Sequence, residues 1–302
     1  MIVHESLYND LIRSVSSERV GSVPQCHYIV GKKGYGKTAL LKQINAYLNE
    51  VDKFEPIYVD CLLNPALSVD WMIARENESS RRVVWLLDGM DLFVAGISEK
   101  EQFRFRAMIY EENAPIVIGT GNSLSEHFTS YGSPFYDTFS LHILKEMLPS
   151  AAALFVAQER KGKGKGRLSE DLIDSILSEI GYTPFNCCLL AKVNAELSRD
   201  DMMRELLQPL TNYYRMLIAN FSVLQRRTII CLLSSATPLL LKDIRSATNL
   251  AGGDLSPQLK SLSSKGIVTQ KSLGVKKTGY SISDRAMSAW YRYNLKKDLL
   301  SV

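Results

Sequence analysis

Two kinds of apolar pattern alternate along the first 145 residues. One is short, continuous and β-prone: the run ending Tyr28-Ile29-Val30, then Glu55–Cys61, Val83–Leu87 and the start of Ala114–Ser123. The other has helical spacing. Leu40, Leu41, Ile44 and Leu48 recur on one helix face, and the stretches PALSVDWMIARE and EKEQFRFRAMIYEE read as helices. Strand and helix in turn predict an α/β fold built on a doubly wound parallel sheet. In such a sheet, ligands bind at the carboxyl ends of the strands.

After residue 145 the pattern becomes helical. PSAAALFVAQER and LSEDLIDSILSEI flank the run Lys161–Arg167, KGKGKGR, which reads as a solvated flexible loop or as a contact for nucleic-acid phosphates. GYTPFNCCLLAKVNAELS starts a helix after a Gly/Pro turn, and DDMMRELLQPLTNYYRMLIANF continues the helical pattern. From Leu224 onward the pattern changes again. LQRRTIICLLSS, LLLKDIRSAT and LSPQLKSLSSKG read as three helices, the last with Leu255, Leu259 and Leu262 on one face. IVTQK, a basic turn GVKKTG and YSIS read as a β-hairpin. Three helices and a hairpin predict a winged helix. Gln258, Lys260, Ser261 and Lys265 are expected on the open face of its third helix, and Lys276 and Lys277 at the wing tip. Those positions suit base-edge and phosphate contacts with double-stranded DNA. Trp290, Tyr291 and Tyr293, in a closing aromatic helix, read as packing residues.

The most specific chemistry lies between the first strand and the helix that follows it. GKKGYGKT, Gly31 to Thr38, fits the pattern G-x-x-x-x-G-K-[ST]. Glycines let backbone N–H groups curl round an anion without a Cβ clash. Lys37 reaches β- and γ-phosphates, and the Thr38 hydroxyl ligates Mg²⁺. The strand–loop–helix setting puts the phosphates at a helix N-terminus, where the dipole favours them. Downstream, VVWLLD ends an apolar strand on Asp88, the position from which a carboxylate holds Mg²⁺ through water. Asp91 either polarises an attacking water or caps the next helix. Thr120 and Asn122 stand at another strand end, where a polar side chain senses a γ-phosphate or makes an ordinary turn.

Charge sharpens the picture. Residues 225–302 hold 13 Lys and Arg against 4 Asp and Glu, a net +9, while residues 1–224 hold 23 against 28, a net −5. A basic tail on an acidic body points to an anionic partner. Hydrophobic residues make up 46% and charged residues 23% of the 302, the balance of a soluble globular protein. Cys26, Cys61, Cys187, Cys188 and Cys231 form no CxxC pair or zinc spacing and read as reduced thiols. No apolar run approaches the ~20 residues that span a bilayer, and the N-terminus lacks a signal-peptide core. The expected location is cytoplasmic, with no membrane partner.

The order of these parts resembles the AAA+/STAND branch of P-loop ATPases, and within it the archaeal-type ATPases and their bacterial relatives. More distantly it is similar to the origin-recognition ATPases. The resemblance rests on GKKGYGKT and VVWLLDGMD, and on the winged helix followed by YSISDRAMSAWYRYN. It implies an N-terminal helix and linker (1–24), a P-loop ATPase core (25–145), a helical lid (146–222) and a winged-helix domain (223–302). It implies ATP and Mg²⁺ as cofactors, with Gly31, Gly34, Tyr35, Gly36, Lys37, Thr38, Ala39 and Asn122 at the nucleotide. Thr38 and Asp88 would hold the metal; Lys37, Asp88 and Asp91 would serve hydrolysis. GYTP looks like the turn that touches adenine in STAND proteins, which brings in Gly181 and Pro184.

Two departures bear on rate. Gly89 follows Asp88 where many relatives carry an acid, so that DGMD is closer to the NACHT type. Asn186 stands nearest the place where relatives carry an arginine. Both imply slow hydrolysis unless a neighbouring subunit supplies an arginine; Arg104 and Arg106 are the candidates for such a finger. The expected function is an ATP-dependent switch that controls DNA binding or assembly through the winged helix, with a protein effector and a nucleotide-dependent homo-oligomer as further partners. The alternative is an ATP-driven signalling or scaffold protein of the defence or stress type, its winged helix packed on protein. A small-molecule kinase is disfavoured by the tail and by the lack of an acceptor-binding cluster.

Overall fold

The computed structural model describes residues 4–17, 23–249, 252–274 and 277–295. Lys276, expected at the wing tip, lies outside them. The chain divides into two units, Met1–Glu146 and Met147–Val302.

The first unit runs α1 (Glu5–Ser17), β1 (Cys26–Val30), α2 (Lys37–Asn49), β2 (Phe54–Asp60), α3 (Val69–Glu78), β3 (Arg82–Asp88), α4 (Met90–Gly96), α5 (Glu99–Ile109), β4 (Ile116–Gly121), α6 (Glu126–Thr129) and β5 (Phe139–Ile143). All five strands are parallel, in the order β2-β3-β4-β1-β5. Strands β1 and β4 are buried along their whole length, as strands covered by helices on both faces must be. Alternate residues feed two cores. Tyr28, Trp85 and Leu87 pack on one face with Met90, Phe93, Phe105, Phe128, Phe135 and Phe139. Ile29, Val84, Leu86, Ile116 and Ile118 pack on the other with Leu40, Leu41, Ile44 and Leu48 of α2 and Leu11 and Val15 of α1. The N-terminal helix is therefore part of the sheet's cover.

The second unit runs α7 (Pro149–Gly162), α8 (Glu170–Ile180), α9 (Pro184–Leu190), α10 (Arg199–Leu207), α11 (Thr211–Ala219), α12 (Val223–Leu233), β6 (Leu239–Leu240), α13 (Leu241–Thr248), α14 (Gly252–Ser264), β7 (Val268–Ser272), β8 (Thr278–Ile282) and α15 (Arg285–Trp290), then a wide turn over Tyr291–Leu295. Its three strands form an antiparallel sheet, β6-β8-β7. Leu255, Leu259 and Leu262 are buried, as their spacing in α14 requires. Trp290 is also buried and donates from Nε1 to Thr211 Oγ1 at 3.0 Å. An ionic clasp joins the end of this unit to its helices. Arg199 reaches Glu179 at 2.7 Å and the Tyr293 hydroxyl at 3.0 Å, and Arg292 reaches Glu179 at 3.0 Å.

Some local expectations need refinement. The Lys161–Arg167 run is exposed along its length, as a solvated loop should be, but it is tied down at its backbone. Helix α7 continues into it, and Arg160, only 2% exposed, donates to the carbonyls of Gly166 (2.6 Å), Val193 (2.8 Å), Leu190 and Ala191 (both 3.5 Å). Lys165 Nζ donates to the Lys192 carbonyl. A buried guanidinium must find acceptors, and the loop and the end of α9 supply them. The helix begun at Pro184 stops at Leu190, and the long pattern from Asp200 breaks at Gln208–Leu210, where Pro209 removes an amide donor.

Candidate phosphate-binding site

The segment between β1 and α2 depends on its glycines. Gly34 (φ 86°) and Gly36 (φ 85°) are left-handed, a conformation that a Cβ disfavours. Gly36 is the N-cap of α2 without a side-chain cap, and its carbonyl accepts the Leu40 amide at 2.9 Å. The amides of Lys37, Thr38 and Ala39 are thus the free first-turn donors of a 13-residue helix, the standard anion-binding geometry. Thr38 and Ala39 are exposed. Gly31 allows a close approach, since a Cβ there would lie 2.9 Å from Leu144 Cβ. Tyr35 packs against the α2-side core, and its carbonyl accepts a hydrogen bond from His4 Nε2 at 2.7 Å, which ties the start of α1 to the loop.

Lys37 lies half-buried within the loop. Its Nζ donates to the Gly31 carbonyl, to the Lys32 carbonyl at 3.2 Å and to Asn122 Oδ1 at 3.2 Å. Burial lowers its pKa, while the carboxylates of Asp88 and Asp91 pull it back up. Sheet register explains how these distant residues meet. Val30 pairs with Gly121, and Leu87 with Gly119, so the ends of β1, β4 and β3 share one edge.

Asp88 is held by hydroxyls from both neighbouring strands. Tyr58 donates to Oδ2 at 3.0 Å, and Thr120 donates to Oδ1 at 2.8 Å. Thr120 Oγ1 also accepts the Gly89 amide at 3.0 Å. Thr120 is fully buried and faces Asp88, so of the two polar residues expected at this strand end only Asn122 meets Lys37. Gly89 (φ 83°) occupies the N-cap of α4, and Asp91 lies in its first turn. Asp91 therefore does not take the cap position. Its Oδ2 accepts the Asn122 amide at 2.9 Å, and Oδ1 accepts the Leu92 amide at 3.1 Å. Beside this acidic edge the Cys61 thiol is pushed up to about 12, by burial first and then by Asp88, Asp60 and Asp91.

The donor set suits Mg²⁺. Thr38 and Asp88 offer hard oxygens, and Mg²⁺ characteristically takes one or two protein oxygens and completes its shell with phosphate and water. Among the described residues no group of three or more His, Cys, Asp or Glu forms a protein-only cage.

Other candidate residues are engaged locally. Arg104 pairs with Asp70 at 2.5 Å, and Arg106 lies over the Tyr110 ring at 5.4 Å. In the second unit, Pro184 is the buried first residue of α9 behind the Thr183 cap. Asn186 is buried and donates from Nδ2 to the carbonyls of Ile180 (2.8 Å) and Gly181 (3.1 Å), so its side chain is spent on the Gly/Pro turn.

On α14 the expected open face shifts. Lys260 is exposed, together with Ser256 and Ser264, but Gln258 is half-buried and Ser261 accepts from Gln225 Nε2 at 3.2 Å. The buried leucines fix the helix's rotation, and Ser261 faces Gln225 of α12. Lys265 follows the helix with its ammonium 5.4 Å from the Phe221 ring centroid, and Lys277 is exposed in the hairpin turn. No helix among the described residues is long and apolar enough to cross a membrane.

Sequence reading missed Tyr58, His4 and Arg160. Tyr58 leaves one faint signal: it sits two residues before Asp60 and so shares the face of β2 that meets the edge.

No protein-family model and no curated protein sequence matches this chain. Solved structures do. The Walker-type ATPase of Pyrococcus abyssi superimposes with a TM-score of 0.66 at 13% identity, covering 96% of each chain. The Orc1 protein of Aeropyrum pernix, solved in complex with DNA, gives 0.57 at 13% identity, over 99% of this chain and 95% of that one. The Thermotoga maritima RuvB Holliday junction branch migration motor gives 0.51 at 15% identity, over 96% and 93%. These likenesses span nearly the whole chain and show that it shares the fold of these proteins, an α/β P-loop NTPase core followed by a mainly helical second unit.

Proposed function

We propose that this chain binds MgATP on Gly31–Ala39 and acts as a slowly hydrolysing, nucleotide-dependent switch. A winged helix formed by α12, α13, α14 and the β7–β8 hairpin then contacts double-stranded DNA. The observation that carries the reading is the convergence of Lys37, Asn122 and Asp88 on one sheet edge beside the free amides of α2. In this reading Lys37 binds the β- and γ-phosphates, and Thr38 and Asp88 hold the metal. Bound Mg²⁺ supplies charge neutralisation on the phosphate oxygens. Asn122 contacts the γ-phosphate, and Asp91 orients Asn122 and accepts a hydrogen bond from the attacking water.

Slow turnover follows from two features. Gly89 provides no acid next to Asp88, and Asn186 is committed to its own turn. The DNA contact is supported by the net +9 of residues 225–302, by exposed Lys260, Lys265 and Lys277, and by the likeness to a protein solved in complex with DNA.

The test is MgATP binding and hydrolysis by the full chain at ~100 mM salt, with and without duplex DNA, beside Lys37→Ala and Lys260→Ala. The expected result is a slow rate that DNA changes and Lys37→Ala abolishes, with weaker DNA binding by Lys260→Ala. ATP binding that ignores DNA points instead to the signalling or scaffold role, with protein against the winged helix. No ATP binding refutes the switch altogether.

A further inference from the structure

We infer that Tyr58 is a positioning residue for the Asp88 carboxylate, and that with Thr120 it sets the affinity of the site for the divalent cation that accompanies the nucleotide. This inference rests on the nucleotide reading above and adds the residues that tune its metal.

The geometry is a cradle made by three adjacent strands. Asp60 of β2 pairs with Asp88 of β3, so Tyr58, two residues earlier, stands on the same face as Asp88. Leu87 pairs with Gly119, which sets Thr120 beside Asp88 from the other side. All three lie on the face covered by α2. Tyr58 packs on the core that holds Leu40 and Leu41, and Lys42 Nζ of α2 lies 5.8 Å from the Tyr58 ring centroid.

The donors are fixed by elimination. The Gly89 amide already donates to Thr120 Oγ1, so the Thr120 proton is directed at Asp88 Oδ1. Tyr58 gives its proton to Oδ2. Each carboxylate oxygen thus accepts one hydroxyl and keeps a lone pair for water bound to a metal. Without the Tyr58 hydroxyl, Oδ2 loses its tether and the carboxylate is held by Thr120 alone, so Lys37 competes with the cation for it. Groups that orient a metal-binding carboxylate characteristically change metal affinity by about 10- to 100-fold.

The experiment measures metal and nucleotide separately. A fluorescent ADP analogue is titrated into the full chain in EDTA and at a series of Mg²⁺ concentrations, and Mn²⁺ binding to the ADP complex is followed by electron paramagnetic resonance. Tyr58→Phe is compared with wild type, Thr120→Ser and Asp88→Asn, with melting temperature recorded for each. The expected result is a half-saturating Mg²⁺ concentration about 10-fold or more higher in Tyr58→Phe, with nucleotide affinity in EDTA unchanged and Thr120→Ser close to wild type. An unchanged metal titration in Tyr58→Phe, beside a clear loss in Asp88→Asn, overturns the inference and leaves the nucleotide site standing. A wild type that binds no nucleotide, or binds it without regard to metal, overturns the nucleotide reading and this inference with it. Should Tyr58→Phe lower the melting temperature, the titrations are run well below its unfolding midpoint and held to the same outcomes.

Discussion

The ammonium of Lys37 lies 3.2 Å from Oδ1 of Asn122, so the phosphate loop and the end of β4 are in direct contact. On the proposed reading, these two residues divide the labour of one phosphate group. Lys37→Ala removes charge felt in both ground and transition states and abolishes nucleotide binding. Asn122→Ala removes a dipole that matters most as charge develops. It is expected to lower kcat by at least about tenfold, with nucleotide affinity within about threefold of wild type. Stopped-flow binding beside steady-state hydrolysis checks both.

Gly121→Ala should damage the same edge by overpacking. A Cβ at this position would lie 1.9 Å from the Tyr28 hydroxyl. Tyr28 is fully buried and stacked on Phe128, with ring centroids 4.1 Å apart, so it has little room to retreat. The expected cost is about 1–3 kcal/mol in urea unfolding. Nucleotide affinity should fall with it, because the Gly121 carbonyl accepts the Gly31 amide at 3.1 Å and anchors the start of the loop.

Acid should weaken the anchoring of α1. His27 Nδ1 lies 3.0 Å from His142 Nε2, and His27 Nε2 lies 3.0 Å from Ser14 Oγ of α1. Burial, then the neighbouring His142, pushes His27 down to about 4 from 6.5; His142 is lowered by burial and raised by Asp10. A lowered histidine pKa means that the unfolded chain binds the extra proton. The contribution of His27 is therefore complete above pH ~6.5 and is lost as pH falls toward ~4, by about 3 kcal/mol in all.

Glu76 slopes the other way. Burial and Glu111 push it up to about 7 against the pull of Arg82, so stability falls as pH rises from the ordinary carboxylate range to that value. The two trends offset each other in wild type. His27→Gln should expose the Glu76 slope and Glu76→Gln the His27 slope, both read from unfolding midpoints between pH 4 and 8.

Arg160→Met keeps the apolar stem but removes the guanidinium donor from the carbonyls of Gly166, Ala191 and Val193, while Leu190 keeps the Val193 amide. The expected loss is about 3 kcal/mol. Trypsin should also cut at Lys161–Arg167 faster than in wild type, because the guanidinium no longer holds the segment down. Equal cleavage rates would mean that the loop is held by something else.

The conformation of the glycine loop was legible in the sequence, because Gly34 and Gly36 stand where the chain turns left-handed just ahead of α2. The β3 strand and Asp88 were legible for a related reason: a run buried on both faces is apolar throughout. Strand β5 was not legible. Of its residues FSLHI only Phe139 is buried, while Leu141 and Ile143 are exposed at the sheet edge, so no apolar run marks them. Tyr58 and Thr120 escaped because their role exists only once three strands are in register. Arg160 escaped because a lysine-rich neighbourhood reads as solvated, and its acceptors come from a turn some thirty residues later.

The strand order has a consequence for how the site comes into being on the ribosome. Strand β1, which carries the loop, is flanked in the sheet by β4 and β5 and never by β2, its successor in the chain. His27 pairs with Ile118 and Cys26 with Phe139. While the first half of this unit is being synthesised, β1 has no strand to lie against, and the glycine loop leads from an unpaired segment. Only when β4 emerges, bringing Thr120 and Asn122 with it, can β1 be enclosed and Asp88 receive its second hydroxyl. Non-local pairing of this kind is slow and leaves apolar edges open in the meantime. Competence to hold a nucleotide therefore arrives late and all at once. A nascent chain stalled before Gly121 should cling to chaperones and ignore ATP.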